Sequence, residues 1–137
     1  MPEVHGLLET SLYVADLARA AAFYQDVFGL RVLARDERFC ALAVAGRQVL
    51  LLFRHGGSLT PSQTPGGTIG PHDARGQIHL AFAAAAEDLA GWRERLAGRG
   101  VALESEVRWP RGGTSLYFRD PDGHLVELAT PGIWEIY

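Results

Sequence analysis

One order of elements occurs twice in this chain of 137 residues. ETSLYVAD alternates as a strand does, with Leu8, Thr10, Leu12 and Val14 on one face. Asp16 has the chemistry of a helix N-cap, and Leu17, Ala20, Ala21, Tyr24 and Phe28 follow at helical spacing. Gly29 is placed to end that helix. LRVLARD, FCALAVA and QVLLLF then read as strands separated by Asp36–Arg38 and Gly46. The second half repeats this. QIHLAFA is a strand, and AEDLAGWRERLAGRG is a helix with Leu89, Trp92 and Leu96 on one face and Gly98 and Gly100 at its end. VALESEV, TSLYFRD and HLVELAT are the strands that follow. Setting Glu9 over His79 brings helix over helix and GLRVL over GVALE to within about one residue. Order, spacing and helix-end glycines agree, so the expected fold is α+β: a duplicated βαβββ unit. Module 1 spans about 7–53 and module 2 about 77–130, within a single domain over 1–137. Between them, residues 54–76 are rich in Gly, Pro, Ser and Thr without periodicity, which reads as a linker loop or a lid.

Composition narrows the function. Hydrophobic residues at 47 % fit a folded globular chain, and no apolar stretch approaches the length that spans a bilayer. MPEVHGLLET has no basic region ahead of an apolar one, so the expected location is the cytoplasm. A net charge of −3 with no basic stripe argues against nucleic acid as a partner. The single cysteine, Cys40, excludes an intrachain disulfide and any multi-cysteine zinc site. All 13 basic residues are arginines, which removes Schiff-base chemistry through a lysine side chain.

Alternation sorts the charges. Leu12 and Val14, Leu80 and Phe82, and Val126 and Leu128 take the packing faces of the first strand of each module and of the last strand. Each opposite face carries one metal-capable residue: Glu9, His79 or Glu127. Singly, each has an ordinary explanation: an exposed glutamate, a hydrogen-bonded histidine, a carboxylate paired with an arginine such as Arg119. Three at matching points of a duplicated unit suit a divalent cation instead, which would offset the cost of burying Glu127 among Leu125, Val126 and Leu128. On the strand before DPDG, Leu116 and Phe118 take the packing face, so Ser115, Tyr117 and Arg119 are candidates to line a cavity. Trp109, Trp134 and Phe39 are candidate apolar walls. His55, His72 and His124 fall in loops or turns and are expected at the surface, with His72 a candidate lid contact.

LYVADLARAAAFYQDVFGLRVL together with SLYFRDPDGHLVELATP resembles the vicinal oxygen chelate superfamily, over about residues 7–134. That group includes glyoxalase I, extradiol dioxygenases, methylmalonyl-CoA epimerase and the fosfomycin- and bleomycin-resistance proteins. The resemblance implies paired βαβββ modules whose curved mixed sheets enclose a metal and substrate cavity. It also implies a homodimer with exchanged modules, Glu9 coming from one subunit and His79 with Glu127 from the other. By the same resemblance Glu9, His79 and Glu127 are the ligands of one divalent ion per site, drawn from Mn, Fe, Ni, Co or Zn. The chain departs from the family pattern in places. Extradiol dioxygenases and fosfomycin-resistance proteins typically have histidine where Glu9 stands. QVLLLFR offers only apolar residues where glyoxalase I adds a fourth ligand. The lysine that helps bind fosfomycin has no counterpart, and bleomycin-binding members generally lack the metal triad.

The expected activity is therefore that of a glyoxalase-like lyase or isomerase. Such an enzyme chelates adjacent oxygens of a small metabolite and stabilises an oxyanion. Glu127 is the first candidate to move a proton and Glu9 the second. Tyr117, Arg119, Ser115 and Trp109 are the candidate substrate contacts. The alternatives are an Fe(II) ring-cleaving dioxygenase and a non-catalytic protein that sequesters an antibiotic.

Overall fold

Each half of the protein is closed by a parallel pairing between the first strand of its repeat and the fourth. The computed structural model describes Met1 to Tyr137 and divides into two units, Met1–Gly76 and Gln77–Tyr137. The first contains β1 (Glu9–Val14), α1 (Leu17–Phe28), β2 (Arg31–Arg35), β3 (Phe39–Val44) and β4 (Gln48–Arg54), followed by β5 (Ser62–Thr64) and β6 (Gly67–Ile69). The second contains β7 (His79–Ala83), α2 (Leu89–Gly98), β8 (Ser105–Arg108), β9 (Thr114–Arg119) and β10 (Leu125–Ala129). The sheet orders are β1-β4-β3-β2 and β7-β10-β9-β8, the same arrangement twice. The fold is α+β, built from two similar four-stranded mixed sheets. No helix is long and apolar enough to cross a membrane.

Parallel neighbours need a long crossover, and the helix of each repeat supplies it. Asp16 caps α1 by accepting the Arg19 N–H at 3.0 Å. Gly29, left-handed at φ 69°, ends the helix with its N–H on the Gln25 carbonyl at 2.8 Å. Between these signals Ala20, Ala21, Tyr24 and Val27 are buried, on the same side of the unit as Leu12, Leu42, Leu50 and Leu52. In the second unit Leu116, Phe118, Val126, Leu128 and the α2 residue Leu96 form the corresponding core. Leu89 and Trp92 are only half-buried.

The segment read from its composition as loop or lid carries structure of its own. β5 and β6 pair as a short hairpin over Ser62↔Ile69, Gln63↔Thr68 and Thr64↔Gly67. It is tied down by Arg38 Nη1 donating to Ser62 Oγ at 2.7 Å, and its stem by the Gly56 N–H on Asp73 Oδ1 at 3.0 Å. Strands of three residues whose sole apolar member is Ile69 have no apolar alternation, which is why no period marks them.

The DPDG turn sets the register of β10. Asp120 Oδ1 accepts the N–H groups of Asp122 and His124, each at 2.9 Å. Gly123 sits at φ 81°, a left-handed conformation that calls for glycine. His124 corrects the expectation of a surface residue. It is 2 % exposed, and its Nδ1 accepts the Ile78 N–H at 3.1 Å. That bond and the Leu125 N–H on the Ile78 carbonyl at 2.8 Å fasten the start of β10 to β7.

The β3–β4 turn holds the one non-glycine residue of positive φ, Ala45 at 52°, next to Gly46 at 70°. Two successive left-handed residues suit a tight hairpin, and asparagine takes the first position at lower cost than alanine. Ala45→Asn is expected to raise the unfolding free energy by up to about 1 kcal/mol. In a urea titration the midpoint should rise with an unchanged slope.

Candidate functional site

Registers decide which side chains meet. In the second sheet Leu125 faces His79 across the parallel pair, Glu127 faces Tyr117 across the antiparallel one, and Ala129 faces Ser115. His79, Tyr117, Ser115 and Glu127 therefore share the face opposite the core. His79 Nε2 lies 3.1 Å from Glu127 Oε2. The histidine is half-exposed, whereas the carboxylate is buried, 7 % exposed as a residue.

The hydrogen bonds around this pair fix its chemistry. His79 Nδ1 is 2.9 Å from the Leu125 carbonyl oxygen. A carbonyl only accepts, so Nδ1 carries the proton and a neutral ring turns the lone pair of Nε2 towards Glu127. Two acceptors 3.1 Å apart need a cation between or beside them, either a proton or a metal ion. The spacing fits a metal. Donors bound at about 2.0–2.2 Å and at right angles stand about 3 Å apart. The other carboxylate oxygen, Glu127 Oε1, accepts from Ser115 Oγ at 2.5 Å, and Ser115 Oγ accepts from Trp109 Nε1 at 2.8 Å. The relay Trp109 to Ser115 to Glu127 holds the carboxylate in one orientation, and sequence reading missed its direction. An indole near a strand end looks apolar, and its N–H partner is set by the β8–β9 turn.

Tyr117 stands beside this cluster, its ring centroid 6.1 Å from that of His79. Burial pushes its phenol up, and the negative charge of Glu127 adds to the rise while a hydrogen bond with Ser115 opposes it. The hydroxyl is thus kept protonated and able to donate. Arg119, by contrast, is engaged elsewhere. Its Nε and Nη2 grip the two Glu104 oxygens at 3.2 and 3.1 Å, and Nη1 donates to the Gly123 carbonyl. It does not pair with Glu127. Trp134 is 71 % exposed.

Glu9 belongs to the first unit, where it opens β1 and is exposed. It is the counterpart of His79, since both begin the first strand of a repeat and face Val49 and Leu125 respectively. No three His, Cys, Asp or Glu side chains cluster within the chain to hold a metal. Glu9 instead lines a cavity of about 590 Å³ on the open face of its sheet. Ser11, Tyr13, Phe39, Leu51 and Phe53 form the floor, and Gln63, Thr64 and Ile69 of the hairpin join them. Tyr13 and Phe53 stack at 5.8 Å, and His72 meets Phe53 edge-on at 4.5 Å. His72 Nδ1 and the Tyr13 hydroxyl share a hydrogen bond at 2.8 Å. The Tyr13 phenol is raised by burial and then by the charge of Asp73. His72 is thus a contact between the 54–76 segment and the sheet.

Residues 6–128 match the family model described as the Glyoxalase/Bleomycin resistance protein/Dioxygenase superfamily. Two relatives are a "Metallothiol transferase FosB" of Bacillus licheniformis and a "Glutathione transferase FosA" of Serratia marcescens. The first is 28 % identical over 134 residues, covering 97 % of this chain and 80 % of that protein. The second is 30 % identical over 125 residues, covering 91 % and 80 %. A crystal structure of lactoylglutathione lyase from Agrobacterium tumefaciens superposes with a TM-score of 0.88 at 33 % identity, over 98 % of this chain and 99 % of that one. The chain therefore belongs to the glyoxalase/bleomycin resistance protein/dioxygenase superfamily.

Proposed function

We propose that this protein is a metal-dependent enzyme of the glyoxalase-like kind. His79 and Glu127 hold one divalent cation from the second unit, and Glu9 supplies a third ligand from the partner subunit of a homodimer. The observation that carries the reading is the His79–Glu127 pair, two acceptors aimed at each other and clamped from behind. A bound cation would supply Lewis acidity at two adjacent oxygens of a small substrate. Mixed nitrogen and oxygen donors suit Mn, Fe, Ni, Co or Zn.

The protein's own groups then have defined tasks. The Tyr117 hydroxyl, kept protonated, donates to a substrate oxygen that gains negative charge. Glu127 is the first candidate to take a proton from carbon or sulfur, and Glu9 the second. Ser115 and Trp109 keep the carboxylate oriented, so they act as positioning residues. The names of the three relatives above each contain a thiol or a thiol adduct. The same class, a small thiol or its adduct with an oxygen-rich metabolite, is the substrate proposed here.

Metal titration of chelator-treated protein tests the ligand set. The wild-type chain should take up one cation per site, and Glu127→Gln or His79→Ala should weaken uptake by more than about tenfold. A Glu127→Gln protein with wild-type affinity would overturn the assignment.

The clamp predicts a second, separable effect. Ser115→Ala leaves the Trp109 N–H and one Glu127 oxygen without their partner and should cost about 1–3 kcal/mol of stability. It should also weaken metal uptake about tenfold, whereas Ser115→Thr should recover both.

Sharing of the site is read from mixed dimers. Neither Glu9→Ala nor His79→Ala homodimers should hold the cation at wild-type affinity. A purified heterodimer of the two should hold it at one site, and no uptake there would place all ligands on one chain.

A further inference from the structure

Arg38 lies in the wall of the Glu9 cavity, between Phe39 and the hairpin, and is half-buried. Its side chain makes one hydrogen bond, Nη1 to Ser62 Oγ at 2.7 Å, out of the five a guanidinium can donate. Unlike Arg75, Arg93 and Arg119, it forms no ion pair with a carboxylate. A guanidinium in an aromatic-walled site with open donors and no carboxylate partner is an anion site awaiting its anion.

Its place along the sheet gives the ligand a length and a direction. Phe39 pairs with Phe53, and Phe53 with Tyr13, so Arg38 stands at the C-terminal end of β1. Glu9 stands at the other end. A rise of about 3.3 Å per residue puts the four steps from Glu9 to Tyr13 at roughly 13 Å. Between the two charges the cavity offers Tyr13, Phe39, Phe53, Leu51 and Ile69, a mostly flat apolar surface.

We infer that this cavity takes an elongated organic anion with a flat apolar middle, its anionic end held by Arg38 and the Ser62 hydroxyl. The other end, towards Glu9, carries the group on which the chemistry falls, and this orientation rests on the proposed metal site. Arg38 is thereby a specificity-determining residue: it selects substrates whose tail carries a carboxylate or another planar or tetrahedral oxyanion. A guanidinium that only clips the hairpin to the sheet would not distinguish a charged tail from a neutral one.

The test uses 4-biphenylcarboxylate and its neutral amide, titrated calorimetrically into the full-length protein after chelator treatment. Wild-type protein should bind the carboxylate at least about tenfold more tightly than the amide, as charge-assisted hydrogen bonds require. Arg38→Gln should erase that preference while leaving amide affinity in place, and Arg38→Lys should keep part of it. Thermal melts of both variants report their folding. Equal binding of the two probes by wild-type protein, no binding of either, or a preference that survives Arg38→Gln would each overturn the inference. Because these titrations need no metal, failure of the metal reading shows up separately, as absent cation uptake with the probe preference intact.

Discussion

The parallel pairing of first and fourth strands is the constraint on which both sites depend. In the second unit it sets His79 against Leu125, so that the imidazole Nδ1 finds the Leu125 carbonyl and Nε2 is left facing Glu127. A slip of one residue would turn the whole set to the other face of the sheet and bury a carboxylate in the α2 core. The slip is prevented locally. The Asp120 turn, the Gly123 conformation and the buried His124 imidazole hold the end of the β9–β10 connection to Ile78, one residue before His79. A buried structural histidine thus fixes the placement of His79, the proposed ligand.

The same pairing in the first unit shows how duplicated faces have come to differ. Superposing the registers sets Leu51 where Glu127 stands, Ala41 where Tyr117 stands and Phe39 where Ser115 stands. Conversely Tyr13 and Phe53 occupy the places of Ala83 and Ala129. One sheet presents a buried, hydrogen-bonded carboxylate with small neighbours, the other an aromatic floor. A carboxylate in place of Leu51 would lack the serine and indole that orient Glu127, and burying it unpaired costs several kcal/mol. In the site proposed above, an apolar face of this kind would hold the body of a ligand and a polar one would act on its oxygens.

Much of this was legible because short-range rules carried it. Asp16 and Gly29 bound α1 as their chemistry requires, and strand alternation put His79 and Glu127 on one face before any register was known. What escaped depended on contacts between distant segments. Glu104, in the run VALESEV that reads simply as a strand, lies 15 residues from the Arg119 it neutralises. The role of His124 required knowing that β7 lies beside the turn after β9. The β5–β6 hairpin has only Ile69 as an apolar residue to announce it and is held by side-chain bonds such as Thr68 Oγ1 to Gln63 Oε1 at 2.7 Å. Arg38 looked like a turn residue, and its meaning comes only from the aromatic cavity beside it.

The charge balance around Glu127 links the structural and chemical readings. The chain holds 13 arginines, yet the side chains that meet Glu127 are Ser115, Tyr117 and His79, and Arg119, the cation on the adjacent strand, is bound to Glu104. A serine hydroxyl orients a carboxylate without neutralising it. On the proposed metal reading the compensating charge is a cation held beside Nε2 and Oε2, which stand 3.1 Å apart. A guanidinium there would have neutralised the carboxylate permanently, whereas a histidine with its other nitrogen pinned to a backbone carbonyl leaves the position exchangeable.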